Sequence, residues 1–187
     1  MEDLNMKCLL TRGTISLYNQ KHNKMKVFIA LLLAFFYFSC DAQTYSDYYH
    51  FIKSSEGYKL NPYKDSKGNW TVGIGHYIKP GEFIKTKYTH SEIIELFDKD
   101  LSIAQKDARK LFRTFDNQPK DVKLVLVSLS FNLGYNRLSK FVRFRAAIDK
   151  RDYKTAANEL KDSLWYKQIG LRGKKYYNII NNHETKI

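Results

Sequence analysis

Two carboxylates and a hydroxyl stand in an order that could carry chemistry. Asp65 lies nine residues after Glu56, and Thr71 lies six residues after Asp65. Hydrolysis of a glycosidic bond needs one carboxylic acid to protonate the leaving oxygen and one carboxylate to activate water or stabilise charge. Taken singly, such residues are more often solvated surface or ordinary strand residues. It is their combination that predicts a reaction.

The neighbouring residues predict a hairpin that separates the two carboxylates. Glu56 ends a short amphipathic turn, and Gly57 after it is a typical helix stop. Asp65 opens the run Asp-Ser-Lys-Gly-Asn, in which Gly68 suits the positive φ of a turn. Residues 70–78 then return as a strand whose glycines allow another group to approach the backbone. We therefore expect the carboxylates on separate elements around one glycine-rich hairpin.

The rest of the sequence is mainly helical. A capping box of Thr89 and Glu92 starts the clearest helix, over residues 89–113. Apolar residues recur along this helix at spacings of three and four: Ile93, Phe97, Leu101, Ala104, Ala108 and Leu111. The helix is long enough to link two lobes.

Residues 122–133 carry a mixed pattern. Apolar residues from Val127 to Leu133 alternate with polar ones, which is typical of a strand. The apolar residues that begin the stretch instead fit a helix buried on most sides, and the stretch is long for a strand. The local pattern leaves both possibilities open.

Further helices are predicted to complete the chain. Ser139 and Asp152 can each cap one, over roughly residues 140–149 and 152–163. A closing segment over 165–180 has the apolar side of a helix. The predicted fold class is α+β, with a small β-hairpin lobe, a larger and mainly helical lobe, a long helix joining them, and a cleft where the lobes meet.

The motifs in this order resemble a known family. Glu56-Gly, then Asp65, then the run Thr71-Val-Gly-Ile-Gly-His76 are similar to the signature of the phage-type lysozymes, glycoside hydrolase family 24. The similarity covers about residues 47–180, and it implies the two-lobed α+β lysozyme fold.

This resemblance implies an activity and a catalytic set. The family cuts the β-1,4 bond between N-acetylmuramic acid and N-acetylglucosamine, so peptidoglycan glycan strands are the expected partner, with no cofactor or metal. Glu56 matches the general acid, Asp65 the second carboxylate, and Thr71 the hydroxyl that helps to hold water. Water held between Asp65 and Thr71 would attack the sugar opposite the leaving group, so we expect inversion.

The resemblance also implies supporting residues. Arg172 falls where the family places a cation near the catalytic glutamate, and His76 and Asp100 match a pair that ties the hairpin to the long helix. Residues 122–133 become the central buried helix. Three residues are expected to line the sugar cleft: Tyr77, Phe131 and Asn132. For Phe131, a place in the ordinary core is the alternative.

The N-terminal residues predict an export signal. Residues 27–39 carry no charge, follow three lysines and precede small or polar residues, which is the pattern of a secretory signal. The run is short for a membrane span, and an uncleaved anchor or a buried core helix is the alternative. Cleavage after Ala42 competes with lipidation of Cys40. We therefore divide the chain into an N-terminal extension and signal, residues 1–42, and a phage-type lysozyme domain, residues 43–187.

The amino-acid composition indicates which kinds of molecule the protein could bind. Apolar residues make up 43% of the 187 residues, which is enough for a core and excludes a disordered chain. Beyond residue 42, 27 Lys and Arg face 16 Asp and Glu, a net charge of +11 that favours an anionic polymer or surface. No base-stacking or groove-reading motif supports nucleic acid. We expect an exported monomer that touches membrane only through its signal or a lipid anchor.

Two other functions use the same residues. A non-catalytic peptidoglycan-binding module would keep the fold without turnover, but both acids and the threonine are present, which favours an enzyme. A lytic transglycosylase would cut the same bond by closing a ring with the muramyl hydroxyl in place of water. Because Asp65 and Thr71 can hold water, hydrolysis is the better prediction.

Overall fold

A computed structural model describes residues 44–65 and 68–183. The chain divides into two compact units, Met1–Ser46 and Asp47–Ile187. Of the first unit only residues 44–46 are described, at the start of a helix. The predicted export signal, with its competing exits at Cys40 and Ala42, lies outside the described residues. Among the helices that are described, none combines the length and the apolar character needed to cross a bilayer.

The described residues form seven α-helices, three β-strands and one short 3-10 helix, and the fold class is α+β as predicted. In chain order the elements are α1 (44–56), β1 (Lys59–Lys64), β2 (Trp70–Gly73), β3 (His76–Tyr77), α2 (His90–Leu111), the 3-10 helix Phe115–Asn117, α3 (Lys120–Leu138), α4 (Val142–Asp149), α5 (Tyr153–Asp162), α6 (Leu164–Ile169) and α7 (Leu171–Asn181).

The strands make one antiparallel sheet in the order β1-β2-β3. In the first hairpin Tyr63 pairs with Thr71, so the side chain of Thr71 has a tyrosine as its cross-strand neighbour. The second hairpin pairs Thr71 with Tyr77. Thr71 thus lies on the central strand of the sheet, between two aromatic residues.

The predicted strand over residues 70–78 is in fact two strands joined by a tight turn, so that prediction was wrong in its extent. Gly73 and Gly75, at φ 67° and 76°, let the chain reverse there. A Cβ at Gly73 would lie 2.9 Å from Ile93 on α2. The glycine therefore serves close packing of the sheet on the helix as well as the turn.

Helix α2 has the predicted start and the predicted buried side. The Thr89 hydroxyl accepts a 3.2 Å bond from the Glu92 amide, and the Glu92 carboxylate accepts a 2.9 Å bond from the Thr89 amide. Every residue of the predicted apolar stripe is buried. The helix packs against β2 and β3 as well as against α3, and so connects the small sheet with the helical part of the unit.

Residues 122–133 lie within α3, as the resemblance implies. The strand-like alternation arises because Ser128 and Ser130 are buried in the core rather than facing water. Ser130 donates a 3.0 Å bond to the carbonyl of Leu126, and Ser128 bonds the hydroxyl of Tyr176. Both polar side chains are satisfied inside the protein, so a helix buried nearly all round accommodates them.

The last four helices differ in part from expectation. Ser139 does not cap α4, because it is the C-cap residue directly after α3, and α4 starts without a side-chain cap. Asp152 caps α5 as predicted, accepting a 3.1 Å bond from the amide of Thr155. The closing segment is two helices, α6 and α7, separated at Gly170 with φ 60°.

Candidate active site

Glu56 is the last residue of α1, and two later helices reach its carboxylate. Arg172 of α7 forms an ion pair with Oε1, and Nδ2 of Asn132 on α3 donates to the same oxygen over 3.2 Å. Nε1 of Trp165 donates over 2.9 Å to Oδ1 of Asn132, which orients the amide. The Glu56 side chain is only 12% exposed. Its carboxylate is therefore held at one oxygen by groups that are far away in sequence.

Gly75 lies beside the second oxygen of the same carboxylate. A Cβ placed on Gly75 would lie 3.4 Å from Cβ of Glu56 and 3.6 Å from Oε2. The positive φ of 76° would also strain any other residue at this position. The glycine turn between β2 and β3 thus leaves room at Oε2.

Asp65 starts the turn between β1 and β2, and a single residue holds both of its oxygens. The backbone amide of Asn69 donates to Oδ1 over 2.8 Å, and its side-chain amide donates to Oδ2 over 3.1 Å. The Asp65 amide in turn donates to the Asn69 carbonyl over 2.9 Å. Hydrogen bonds to an ionised carboxylate are among the stronger ones, so this turn fixes the direction of Asp65.

Thr71 lies on β2, two residues after Asn69 closes this turn, and is 7% exposed. Its hydroxyl makes a 3.4 Å contact with the Asn69 carbonyl, which is long for a hydrogen bond. Asn69 therefore neighbours both residues of the predicted water-holding pair.

A single cleft of about 1490 Å³ brings most of the predicted residues together. The members of the predicted set that line it are Glu56, Asp65, Thr71, Tyr77, Phe131, Asn132 and Arg172. Phe131 also packs against Phe97, with ring centroids 5.9 Å apart, so it contacts the core as well as lining the cleft. Tyr77 is 46% exposed and contributes a ring to the open side.

His76 and Asp100 are not among the residues that line the cleft. Nδ1 of His76 lies 2.7 Å from Oδ2 of Asp100, which joins β3 to α2. Both side chains are partly exposed. The pair thus connects the sheet to the long helix, next to the strand residue Tyr77.

The electrostatics of the cleft act on Tyr63, whose side chain lies among the lining groups. Burial raises the pKa of the Tyr63 phenol above its usual value, and the charges of Glu56 and Asp65 raise it further. The phenol therefore stays protonated at neutral pH and offers a hydrogen-bond donor to the cleft. In chemical terms, the cleft combines two separately held carboxylates with neutral donors, which suits acid and base catalysis on a sugar.

An α+β fold with two carboxylates facing one cleft defines the class as glycosidases of the lysozyme type. The sequence profile of the phage lysozyme family matches residues 53–185, which include every element from β1 to α7. The chain belongs to the phage lysozyme family, glycoside hydrolase family 24. It is accordingly a lysozyme, an enzyme that acts on peptidoglycan.

Individual relatives agree with the family assignment. The chain is 29% identical over 159 residues to "Probable T4-type lysozyme 2" of Dictyostelium discoideum, which covers 72% of this chain and 94% of the relative. "Probable T4-type lysozyme 1" of the same organism is 30% identical over 153 residues, 69% of this chain and 90% of the relative. The SAR-endolysin of Enterobacteria phage P21 is 32% identical over 106 residues, 57% of this chain and 62% of the relative.

Two residues near the carboxylates were not assigned a role from the sequence. Asn69 closes the predicted Asp-Ser-Lys-Gly-Asn turn, and its position four residues after Asp65 was a usable signal. Trp165 orients Asn132 from a distance of 33 residues, and only the folded chain reveals that contact.

Proposed function

We propose that this lysozyme hydrolyses the β-1,4 bond between N-acetylmuramic acid and N-acetylglucosamine with inversion at the anomeric carbon. The observation that supports this is the separate positioning of two carboxylates along one cleft. Glu56 is held by Arg172 and Asn132, whereas Asp65 is held by Asn69. Two acids in different surroundings can take different roles in one reaction.

Glu56 acts as the general acid in this proposal. Because Arg172 and Asn132 occupy Oε1, the proton is carried on Oε2, at the side where Gly75 leaves room. As the bond between the anomeric carbon and the glycosidic oxygen breaks, the proton moves from Oε2 to that oxygen. The guanidinium of Arg172 then neutralises the carboxylate that remains.

Asp65 and Thr71 hold the attacking water. One water hydrogen is bonded by the Asp65 carboxylate, and the Thr71 hydroxyl fixes the orientation of the water oxygen. The water oxygen bonds to the anomeric carbon from the face opposite the leaving group, and its proton passes to Asp65. The product is a new reducing end with the α configuration.

The remaining cleft residues are proposed to bind and position the sugar chain. Tyr77 and Phe131 offer ring faces for sugar contacts, and Asn132 connects the sugar site with Glu56. His76 and Asp100 act structurally in this proposal, because their hydrogen bond holds the strand that carries Tyr77.

Product analysis tests the proposal directly. Purified peptidoglycan is digested, and the first fragments are examined by proton NMR before mutarotation and by mass spectrometry. An initial excess of the α-anomer is expected. An excess of the β-anomer would make Asp65 a nucleophile, and 1,6-anhydromuramyl ends would identify a lytic transglycosylase. Either result would overturn the proposed mechanism.

We further propose that residues 1–42 form an extension and export signal before a lysozyme domain over 43–187. The support is the uncharged run after three lysines. The exported protein is expected to begin at Gln43, whereas a lipidated chain would begin at Cys40. Intact-mass measurement of protein from the envelope and the medium separates these outcomes. The released domain is expected to be a monomer by light scattering.

A further inference from the structure

We infer that Tyr176 of α7 is a positioning residue for the Glu56 carboxylate, an inference that rests on the proposed role of Glu56 as acid. Tyr176 is fully buried, and the proposed reaction assigns it no step. Its hydroxyl reaches the residue before Glu56, and its ring and its place on α7 connect it to the two groups that hold the Glu56 carboxylate.

The hydroxyl connects α3 with the residue just before Glu56. Oη of Tyr176 is directed at Oγ of Ser55 as donor over 3.4 Å, which is long for a hydrogen bond, and Ser55 donates to the Phe51 carbonyl over 3.1 Å. Because the phenol has a single proton, its bond with Ser128 is donated by the serine. The three hydroxyls therefore form one directed chain that ends in the backbone of α1.

The aromatic ring of Tyr176 is connected to Glu56 through residues of α6 and α3. Tyr176 stacks on Trp165 with ring centroids 5.7 Å apart and 27° between planes, and on Phe51 at 5.5 Å and 23°. Trp165 donates to Asn132, and Asn132 donates to Glu56. Movement of the Tyr176 ring is therefore passed to the amide that contacts the carboxylate.

The position of Tyr176 on α7 connects it with Arg172, the cation of the site. Tyr176 follows Arg172 by four residues, so both side chains project from the same face of the helix. Anchoring Tyr176 between α1, α3 and α6 sets the rotation of α7, and with it the approach of Arg172 to Oε1. A single buried phenol thus fixes both contacts of the proposed acid, the one with Asn132 and the one with Arg172.

The test compares variants that remove the hydroxyl with a matched control. Tyr176→Phe keeps the ring, and Ser55→Ala removes the acceptor while leaving Tyr176 and Ser128 in place. Tyr153→Phe is the control, because Tyr153 is also buried and its hydroxyl donates to Gln118 over 2.8 Å, away from the cleft residues. Steady-state rates are measured on soluble glycan strands at a temperature where circular dichroism shows each variant folded.

Tyr176→Phe and Ser55→Ala are expected to lower kcat by roughly tenfold with KM unchanged, as small misplacements of a catalytic group do. Ser55→Thr, which restores a hydroxyl, is expected to recover most of that loss, and Tyr153→Phe is expected to keep the wild-type kcat. A wild-type kcat in Tyr176→Phe, or an equal fall in Tyr153→Phe, would overturn the inference.

Glu56→Gln in the same assay separates this inference from the proposed function. If Glu56→Gln is inert while Tyr176→Phe is unchanged, the positioning role of Tyr176 fails and the acid assignment stands. If Glu56→Gln stays active, the acid assignment fails, and the inference fails with it.

Discussion

Glu56 and Asp65 owe their orientation to interactions of very different range. The partners of Glu56 lie 76 and 116 residues away along the chain, on α3 and α7. Asp65 is held by Asn69, four residues away within one turn. The geometry of Asp65 is therefore set locally by the hairpin, whereas that of Glu56 depends on the packing of several helices.

Replacing Glu56 with Gln tests the proposed acid at the residue scale. Glutamine keeps the shape and can still bond Asn132, but it carries no acidic proton. General acid catalysis contributes about a hundred- to ten-thousandfold, so lysis should fall by at least that factor, with fold and wall binding retained. Clearing of purified cell walls measures the effect, and Glu95→Gln, an exposed change on α2, is the control. Activity above half of wild type would contradict the assignment.

Asn69 offers a graded test of the second carboxylate. Asn69→Ala removes the side-chain bond to Oδ2 but keeps the backbone bond to Oδ1, so we expect about a tenfold lower kcat. Asp65→Asn should be more severely impaired, because the proposed base itself is lost. Asn61→Ala, at an exposed position of β1, should behave as wild type. Equal activity of Asn69→Ala and wild type would show that the turn alone orients Asp65.

At the scale of elements, the predictions succeeded where the signal was local. The start and the buried stripe of α2 follow from one capping box and one apolar period. The sequence pattern of α3 is ambiguous because the hydroxyls of Ser128 and Ser130 are buried. Their hydrogen-bond partners lie within the same helix or on α7. Ser139 was assigned to the wrong helix because a serine between two helices can end one or start the next.

The candidate site likewise has a part that the sequence predicts and a part that only the folded protein reveals. Glu56, Asp65 and Thr71 stand in a spacing that the sequence shows, and Arg172 follows from the family resemblance. The contacts that orient them, from Trp165 and Tyr176, depend on which helix faces meet in the folded protein. No periodicity or motif in a single chain carries that information.

The N-cap of α2 should make a measurable contribution to stability. Thr89→Ala removes the hydroxyl that accepts from the Glu92 amide, and losing such a cap costs about 1 kcal/mol in the free energy of unfolding. Urea denaturation measures the change. Thr86→Ala, in the exposed loop before the helix, is the matched control and should differ little from wild type. Equal stabilities for the two variants would contradict a capping role.

Glu92 should make part of the stability depend on pH. Hydrogen bonds from Lys85 and Thr89 lower the Glu92 pKa from 4.5 to about 2. Since the folded pKa lies below the unfolded one, this stabilisation is complete above about pH 5 and is lost as the pH falls toward 2. The difference in unfolding free energy between wild type and Glu92→Gln should therefore shrink in acid. A difference that grows in acid would contradict the argument.

For the whole molecule, the excess of basic side chains should be visible in wall binding. The net charge of +11 beyond residue 42 faces the carboxylates of peptidoglycan and other wall anions. Exposed charges are screened over about 8 Å at physiological ionic strength. Pull-down on purified sacculi should weaken as salt rises, whereas binding to uncharged chitin should not. Binding to sacculi that is independent of salt would assign the affinity to sugar contacts.

The distance in sequence between Glu56 and Arg172 also sets when the enzyme becomes complete. A growing chain presents Glu56 early, but its cation is added 116 residues later, which takes roughly 6–23 s at ordinary rates of synthesis. A nascent or truncated chain that ends before α7 therefore carries both carboxylates without Arg172 or Tyr176. In the proposed mechanism, the ion pair that holds Glu56 can therefore form only after α7 has been synthesised.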